Sequence, residues 1–119
     1  SIGAQVRALA VGHSEVVLRD RPSLRNHLRC VHAIALANLA ELSSGLAMLT
    51  GMPSHARGIP VGLTIAYLKK ARGALTAECR CALPDFSHEG EYEFEASISD
   101  AGGDVVAKAT VRWKLGPVA

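Results

Sequence analysis

The sequence predicts an α+β domain in which a curled antiparallel sheet of about six strands wraps one long central helix. Three observations carry this. Residues 33–50 are a run of Ala, Leu, Ile and Met with a few small polar residues, in which Glu41 is the single ionisable side chain. A helix that apolar around most of its circumference has to be enclosed rather than laid on a surface. Residues 61–114 read as four stretches alternating at period two, the mark of sheets with one face on a core and one in water. The links between these stretches are brief, and brief links join antiparallel neighbours, because a parallel crossover needs a dozen or more residues.

In chain order, residues 5–11 and 15–19 are of strand type and Gly12-His13-Ser14 reads as the hairpin turn between them. Asp20-Arg21-Pro22-Ser23 then breaks the sheet. It leads into Asn26-His27-Leu28-Arg29-Cys30-Val31-His32, which opens the helix. At about 100° per residue, Asn38, Glu41, Ser44 and Gly45 fall on one stripe of that helix, facing either water or a cleft. Residues 51–58 form a turn-rich connection. In the first strand after it, Val61, Leu63, Ile65 and Tyr67 alternate with Gly62, Thr64, Ala66 and Leu68. Leu75, Ala77, Cys79 and Cys81 alternate in the second. The third sets Tyr92, Phe94, Ala96 and Ile98 against Glu91, Glu93, Glu95 and Ser97, and the fourth sets Val105, Ala107, Ala109, Val111 and Trp113 against Lys108, Thr110, Arg112 and Lys114.

A chain of 119 residues with 49% hydrophobic content fits one domain over residues 1–119 with a real core. Aromatic residues are 4% of the chain and no basic block is interleaved with them, so a nucleic-acid surface has no support. The apolar run carries Asn38, Glu41 and two serines and stops at Gly51-Met52-Pro53, which makes it a core helix and not a bilayer span. The three cysteines, Cys30, Cys79 and Cys81, form no Cys-x-x-Cys pair. Cys79 and Cys81 share a strand face with roughly parallel side chains, poor geometry for a disulfide. Small buried thiols and the lack of a signal-peptide pattern suit a reducing cytoplasm.

With this layout on the page, the chain resembles the hotdog fold, a curled antiparallel sheet around a central helix. Hotdog thioesterases of the phenylacetate-pathway type read Asn-x-x-x-x-x-His-Gly-Gly at the helix entrance, with an acid nine residues after the His. Asn26, His32 and Glu41 stand at those spacings. Ile65-Ala66-Tyr67-Leu68-Lys69-Lys70-Ala71-Arg72-Gly73 resembles the strand that ends in a basic, Gly-containing turn. Asn26-His27-Leu28 with Val31-His32-Ala33, followed by Leu36-Ala37-Asn38-Leu39, is most similar to a poorly characterised bacterial branch. Three departures stand out. Ala33-Ile34 replaces the glycine pair, Glu41 replaces an Asp found in many relatives, and Pro60 occupies the position where relatives carry a water-holding Ser or Thr.

The resemblance implies thioester hydrolysis without a cofactor or metal, on an acyl-CoA or other acyl thioester. The first turn of a helix offers unpaired N–H groups, and the Ala33 amide is the candidate oxyanion donor. Asn26 and His32 would position the carbonyl or the entrance loop, and Glu41 would act as general base or nucleophile. Ser44 is a candidate to replace the hydroxyl missing at Pro60. Tyr67, Lys69, Lys70 and Arg72 are candidate substrate contacts, the cations for coenzyme A phosphates. Ala33 and Glu41 are eight residues apart, about 12 Å along one helix. Both act on one carbonyl only if Glu41 comes from a second copy, so the reading demands a homodimer or a dimer of dimers with antiparallel helices.

Plainer readings stand beside these. His32 would serve as a helix-entrance residue bonded to backbone, the cations as solvated charges, and Glu91, Glu93 and Glu95 as a solvent face. A metal at His27, Cys30 and His32 lacks a fourth ligand, and a Cys30 nucleophile lacks a third partner. Pro60 and Ile34 favour an alternative of a different class, a non-catalytic acyl-binding hotdog domain. A hydratase is the third reading.

Overall fold

The computed structural model describes residues 4–19, 29–71 and 73–118, and of residues 29–34 the helical backbone alone. Its elements run β1 (Ala4–Ala10), β2 (His13–Leu18), α1 (Arg29–Leu49), β3 (Ala56–Tyr67), β4 (Leu75–Arg80), β5 (Gly90–Ser99) and β6 (Val105–Pro117). The six strands form one antiparallel sheet in the order β1-β2-β4-β5-β6-β3, curled around α1. This is the hotdog architecture the sequence predicts.

Alternation in each strand decides which residues meet the helix. Val16 and Leu18 on β2, Ala77 and Cys79 on β4, Ala96 and Ile98 on β5, and Val111 and Leu115 on β6 are buried. They face Leu36, Leu39, Ala40, Ala47 and Met48 of α1 in one apolar cluster. Alanines at 77, 96 and 109 let the helix approach the centre of the sheet closely. Each fully buried Leu, such as Leu18 or Leu39, contributes roughly 1.5–3 kcal/mol relative to exposure. The opposite face of β5 is a solvent face as expected, with Glu91, Glu93 and Glu95 exposed and Arg112 paired to Glu91 at 3.7 Å.

Two details correct the sequence reading. The β1–β2 turn is Val11-Gly12, with Ala10 paired to His13, one step earlier than Gly12-His13-Ser14. Gly12 takes φ +73°, and a Cβ there would lie 2.5 Å from the Cys81 carbonyl oxygen, so the tight turn needs glycine. The Gly12 N–H donates to the Thr50 hydroxyl at 3.0 Å, tying the turn to the end of α1. Ser14, freed from the turn, is a buried strand residue donating to the Ser43 carbonyl at 2.5 Å.

The larger correction concerns β3. The short link after it suggested pairing with β4, but β3 pairs with β6, from Ala56 opposite Pro117 to Tyr67 opposite Ala107. The link from Tyr67 to Leu75 instead joins strands three positions apart in the sheet. Seven extended residues span roughly 23–25 Å, and β4 is three strand spacings from β3, about 14 Å along a flat sheet and less along a curled one. A short link therefore permits either pairing. The strand also starts five residues before Val61, because the glycine and proline at 58 and 60 are tolerated on a sheet edge.

Cys79 and Cys81 are free thiols. Burial, then the neighbouring Cys81, pushes the Cys79 thiol up to about 12. Among the described residues no helix is long and apolar enough to cross a membrane.

Candidate functional site

The polar stripe of α1 does not face one way. Asn38 and Glu41 are exposed, whereas Ser44 and Gly45 are buried against Trp113. The reason is a two-bond chain. The Trp113 indole Nε1–H donates to Ser44 Oγ at 3.1 Å, and the Ser44 hydroxyl donates to the Glu41 carbonyl at 3.0 Å. An indole N–H drawn into the core requires an acceptor, and Ser44 turns inward to supply it. Ser44 Oγ is thus held inside the core between Trp113 and the Glu41 carbonyl. Gly45 makes room for the ring, since a Cβ would sit 3.2–3.3 Å from its outer carbons.

Glu41 stands on the rim of a groove of about 300 Å³. Asn38 and Leu42 flank the carboxylate, Gly45, Leu46 and Leu49 continue the helix wall, and Trp113 forms the floor. Within one chain the carboxylate reaches solvent, yet its surroundings are mostly apolar. Helix α1 packs chiefly on β2 and β4 and least on the two edge strands, β1 and β3. Ile59, Val61, Leu63 and Tyr67 of β3 are 56, 45, 39 and 50% exposed. By register Leu63, Ile65 and Tyr67 share the concave face with buried Val111, Ala109 and Ala107.

The other expected site residues are placed as follows. The described part of the helix starts at Arg29, and the backbone of Ala33 lies within it. The side chains of His32 and Ala33 lie outside the described residues, as do Asn26, His27 and Arg72 entirely. Tyr67 ends β3, with Lys69 and Lys70 exposed just beyond it. Lys69 pairs with Asp104 at 2.6 Å. Pro60 is exposed at a register shift in β3.

Metal-ligand chemistry among the described residues is grouped at His13, Glu15 and Glu78, whose ligand atoms lie within 4.8 Å of one another. Glu15 and Glu78 are directly opposite on β2 and β4, a like-charge pair that needs compensation. Arg7 bridges Glu15, and His13 at 2.9 Å and Arg80 at 3.4 Å serve Glu78. The cluster is satisfied as an ion-pair network. Trp113 is the site residue that sequence reasoning missed. It is the single Trp of the chain and falls on the inward positions of its strand, a signal that places it in the core but not under the acid.

Sheet order, central helix and the acid-bearing groove together define a hotdog-fold protein. The chain matches, over residues 1–115, the family described as a domain of unknown function, DUF4442, and belongs to it. No curated protein matches the chain. Among solved structures, a structural-genomics crystal structure is 28% identical, with 98% of this chain and 79% of that one covered at a TM-score of 0.86. A Pseudomonas aeruginosa protein of unknown function, described as a probable thioesterase, is 25% identical, with 98% and 84% covered and a TM-score of 0.83. A thioesterase family protein from Silicibacter pomeroyi shares the fold at 15% identity, with 98% and 86% covered and a TM-score of 0.79.

Proposed function

We propose that the chain is a cytoplasmic acyl-thioester hydrolase acting on an acyl-CoA, working as a homodimer in which Glu41 of one copy meets the α1 tip of the other. The observation that carries this reading is an exposed carboxylate on a largely apolar groove, in a chain whose edge strand β3 also exposes apolar side chains. Pairing of β3 with β3 of a second copy would satisfy the edge N–H and C=O groups and cover Leu63 and Tyr67. It would also set the two helices antiparallel, bringing the first-turn amides near Asn26, His32 and Ala33 toward the partner copy's acid. The thioesterase descriptions of similar structures support the same chemistry.

In the reaction, the first-turn amides polarise the thioester carbonyl. Glu41 takes a proton from water as the water oxygen bonds to the carbonyl carbon. The C–S bond then breaks, and the departing thiolate takes that proton, leaving a carboxylic acid and a thiol. Attack by Glu41 itself, through a mixed anhydride that water then cleaves, gives the same products. Tyr67, Lys69, Lys70 and Arg72 would hold the coenzyme A end.

Engagement of Ser44 with Trp113 favours a second reading, a non-catalytic acyl-binding domain, because it ties up the hydroxyl one turn beyond Glu41. Turnover of a panel of acyl-CoA esters by the protein and by Glu41→Gln tests both. Hydrolysis abolished by the substitution supports the hydrolase. Tight binding without turnover supports the binding domain, and turnover untouched by the substitution removes Glu41 from the chemistry.

A further inference from the structure

The polar side chains along α1 differ in whether their hydrogen-bonding groups are already used. Ser43 donates to the Ala40 carbonyl at 3.2 Å, Ser44 to the Glu41 carbonyl at 3.0 Å, and Thr50, just past the helix, to the Ala47 carbonyl at 2.7 Å. Each hydroxyl is turned back onto the helix's own backbone. Asn38 is different. Its carboxamide is exposed beside Glu41 and forms no hydrogen bond among the described residues. The indole N–H of Trp113 is engaged with Ser44, so Asn38 and Glu41 are the two side chains lining the groove whose polar atoms are open to a ligand.

Their spacing gives this meaning. Three residues apart on a helix, the two side chains are neighbours, with Cβ atoms about 5–6 Å from one another. A water between them is within hydrogen-bond reach of both, at about 2.7–2.8 Å from each oxygen. Both groups stand on one helix of one chain, so their relation does not depend on how a second copy completes the site. A water held by the carboxylate alone pivots about a single bond. A second acceptor fixes its other O–H and aims a lone pair outward, and a neutral amide oxygen does this without repelling the Glu41 charge.

We propose that Asn38 is a catalytic residue, its Oδ1 accepting one O–H of the attacking water while Glu41 accepts the other. The inference rests on the hydrolase reading and deepens it, because it supplies the acceptor that Pro60 lacks and that Ser44 has turned inward. As the water oxygen bonds to the carbonyl carbon, the proton on the Glu41 side passes to the carboxylate and the other stays on the oxygen. When the C–S bond breaks, the Glu41 proton goes to the thiolate. Asn38 gains and loses none.

Hydrolysis of acetyl-, hexanoyl- and palmitoyl-CoA by the protein, Glu41→Gln, Asn38→Ala and Asn38→Asp tests this, with the Tm of each at fixed concentration. Asn38→Ala is expected to lower kcat on the order of 10–100-fold with little change in KM. Its Tm should hold or rise, since alanine is the better helix former at an exposed position. Asn38→Asp restores an acceptor and with it part of kcat. Glu41 is the single ionisable side chain lining the groove, so the added charge should also move the rising limb of the kcat pH profile upward. Unchanged kcat in Asn38→Ala beside an inactive Glu41→Gln overturns the role of Asn38 and leaves the hydrolase standing. A fall in kcat accompanied by a fall in Tm, or not recovered in Asn38→Asp at any pH, overturns that role as well. Full activity in Glu41→Gln removes the shared water whatever Asn38→Ala does, and turnover of none of the three esters by the parent protein overturns both readings.

Discussion

Replacing Ser44 by Ala isolates the contact that sets the site's geometry. In the structure the hydroxyl is completely buried and is the acceptor for the indole N–H of a residue that is itself 8% exposed. The substitution leaves that N–H buried without a partner, which costs about 1–3 kcal/mol. Loss of the bond to the Glu41 carbonyl adds little, because that carbonyl belongs to the middle of a helix. For 119 residues at about 2.1 cal/mol/K per residue, the unfolding entropy is about 250 cal/mol/K. The expected fall in Tm is therefore about 4–12 °C, measured at fixed protein concentration because dimerisation shifts apparent stability. A double-mutant cycle with Trp113→Phe assigns the cause. With no indole N–H to satisfy, Ser44→Ala should cost under about 0.5 kcal/mol, a coupling of about 0.5 kcal/mol or more. Equal losses in both backgrounds would show that the Ser44–Trp113 bond has no energetic weight and that something else turns Ser44 inward.

Four further outcomes follow from the same structure. Leu63→Glu places a charge on the uncovered concave face of β3 and should shift the protein to monomer in light scattering while abolishing turnover with unchanged circular dichroism; a persistent dimer would disprove edge pairing through β3. Gly12→Ala meets both a φ of +73° and a carbonyl oxygen at 2.5 Å, and should lower stability in urea unfolding by more than about 1 kcal/mol. Leu39→Ala, at a fully buried position, should cost about 2–5 kcal/mol by the same measurement. The Cys79 thiol is held up at about 12 against about 9 in a free thiol. The unfolded chain therefore releases this proton first as pH rises, so its contribution to stability is complete below about pH 9 and is lost toward about 12, at up to about 1.4 kcal/mol per pH unit. Cys79→Ala should remove that slope relative to the parent protein.

The parts of the fold that were legible in the sequence are those governed by local period. Residues 33–50 state a wrapped helix through composition alone, and Glu91, Glu93 and Glu95 state a half-solvated strand through alternation. Partner choice is not local. The link after Tyr67 satisfies a hairpin and a crossing equally well, so nothing in the local sequence decides between β4 and β6 as the partner of β3. The site divides in the same way. Glu41 announces itself as the lone acid of an apolar run, and helical spacing puts it beside Ser44. Which way Ser44 turns depends on an indole 69 residues further along, and no helical wheel contains that residue.

Pairing β3 with β6 also shapes how the protein comes into being. Partners along this ladder are about forty to sixty residues apart in the chain, so β3 is made well before the strand that pairs with it. During that interval a long apolar ribbon with both edges bare is exposed to every other nascent chain, the situation in which aggregation competes with folding. It is β6 that shelters it, and removing residues 105–117 would be expected to cost solubility well before it touched the helix or the acid.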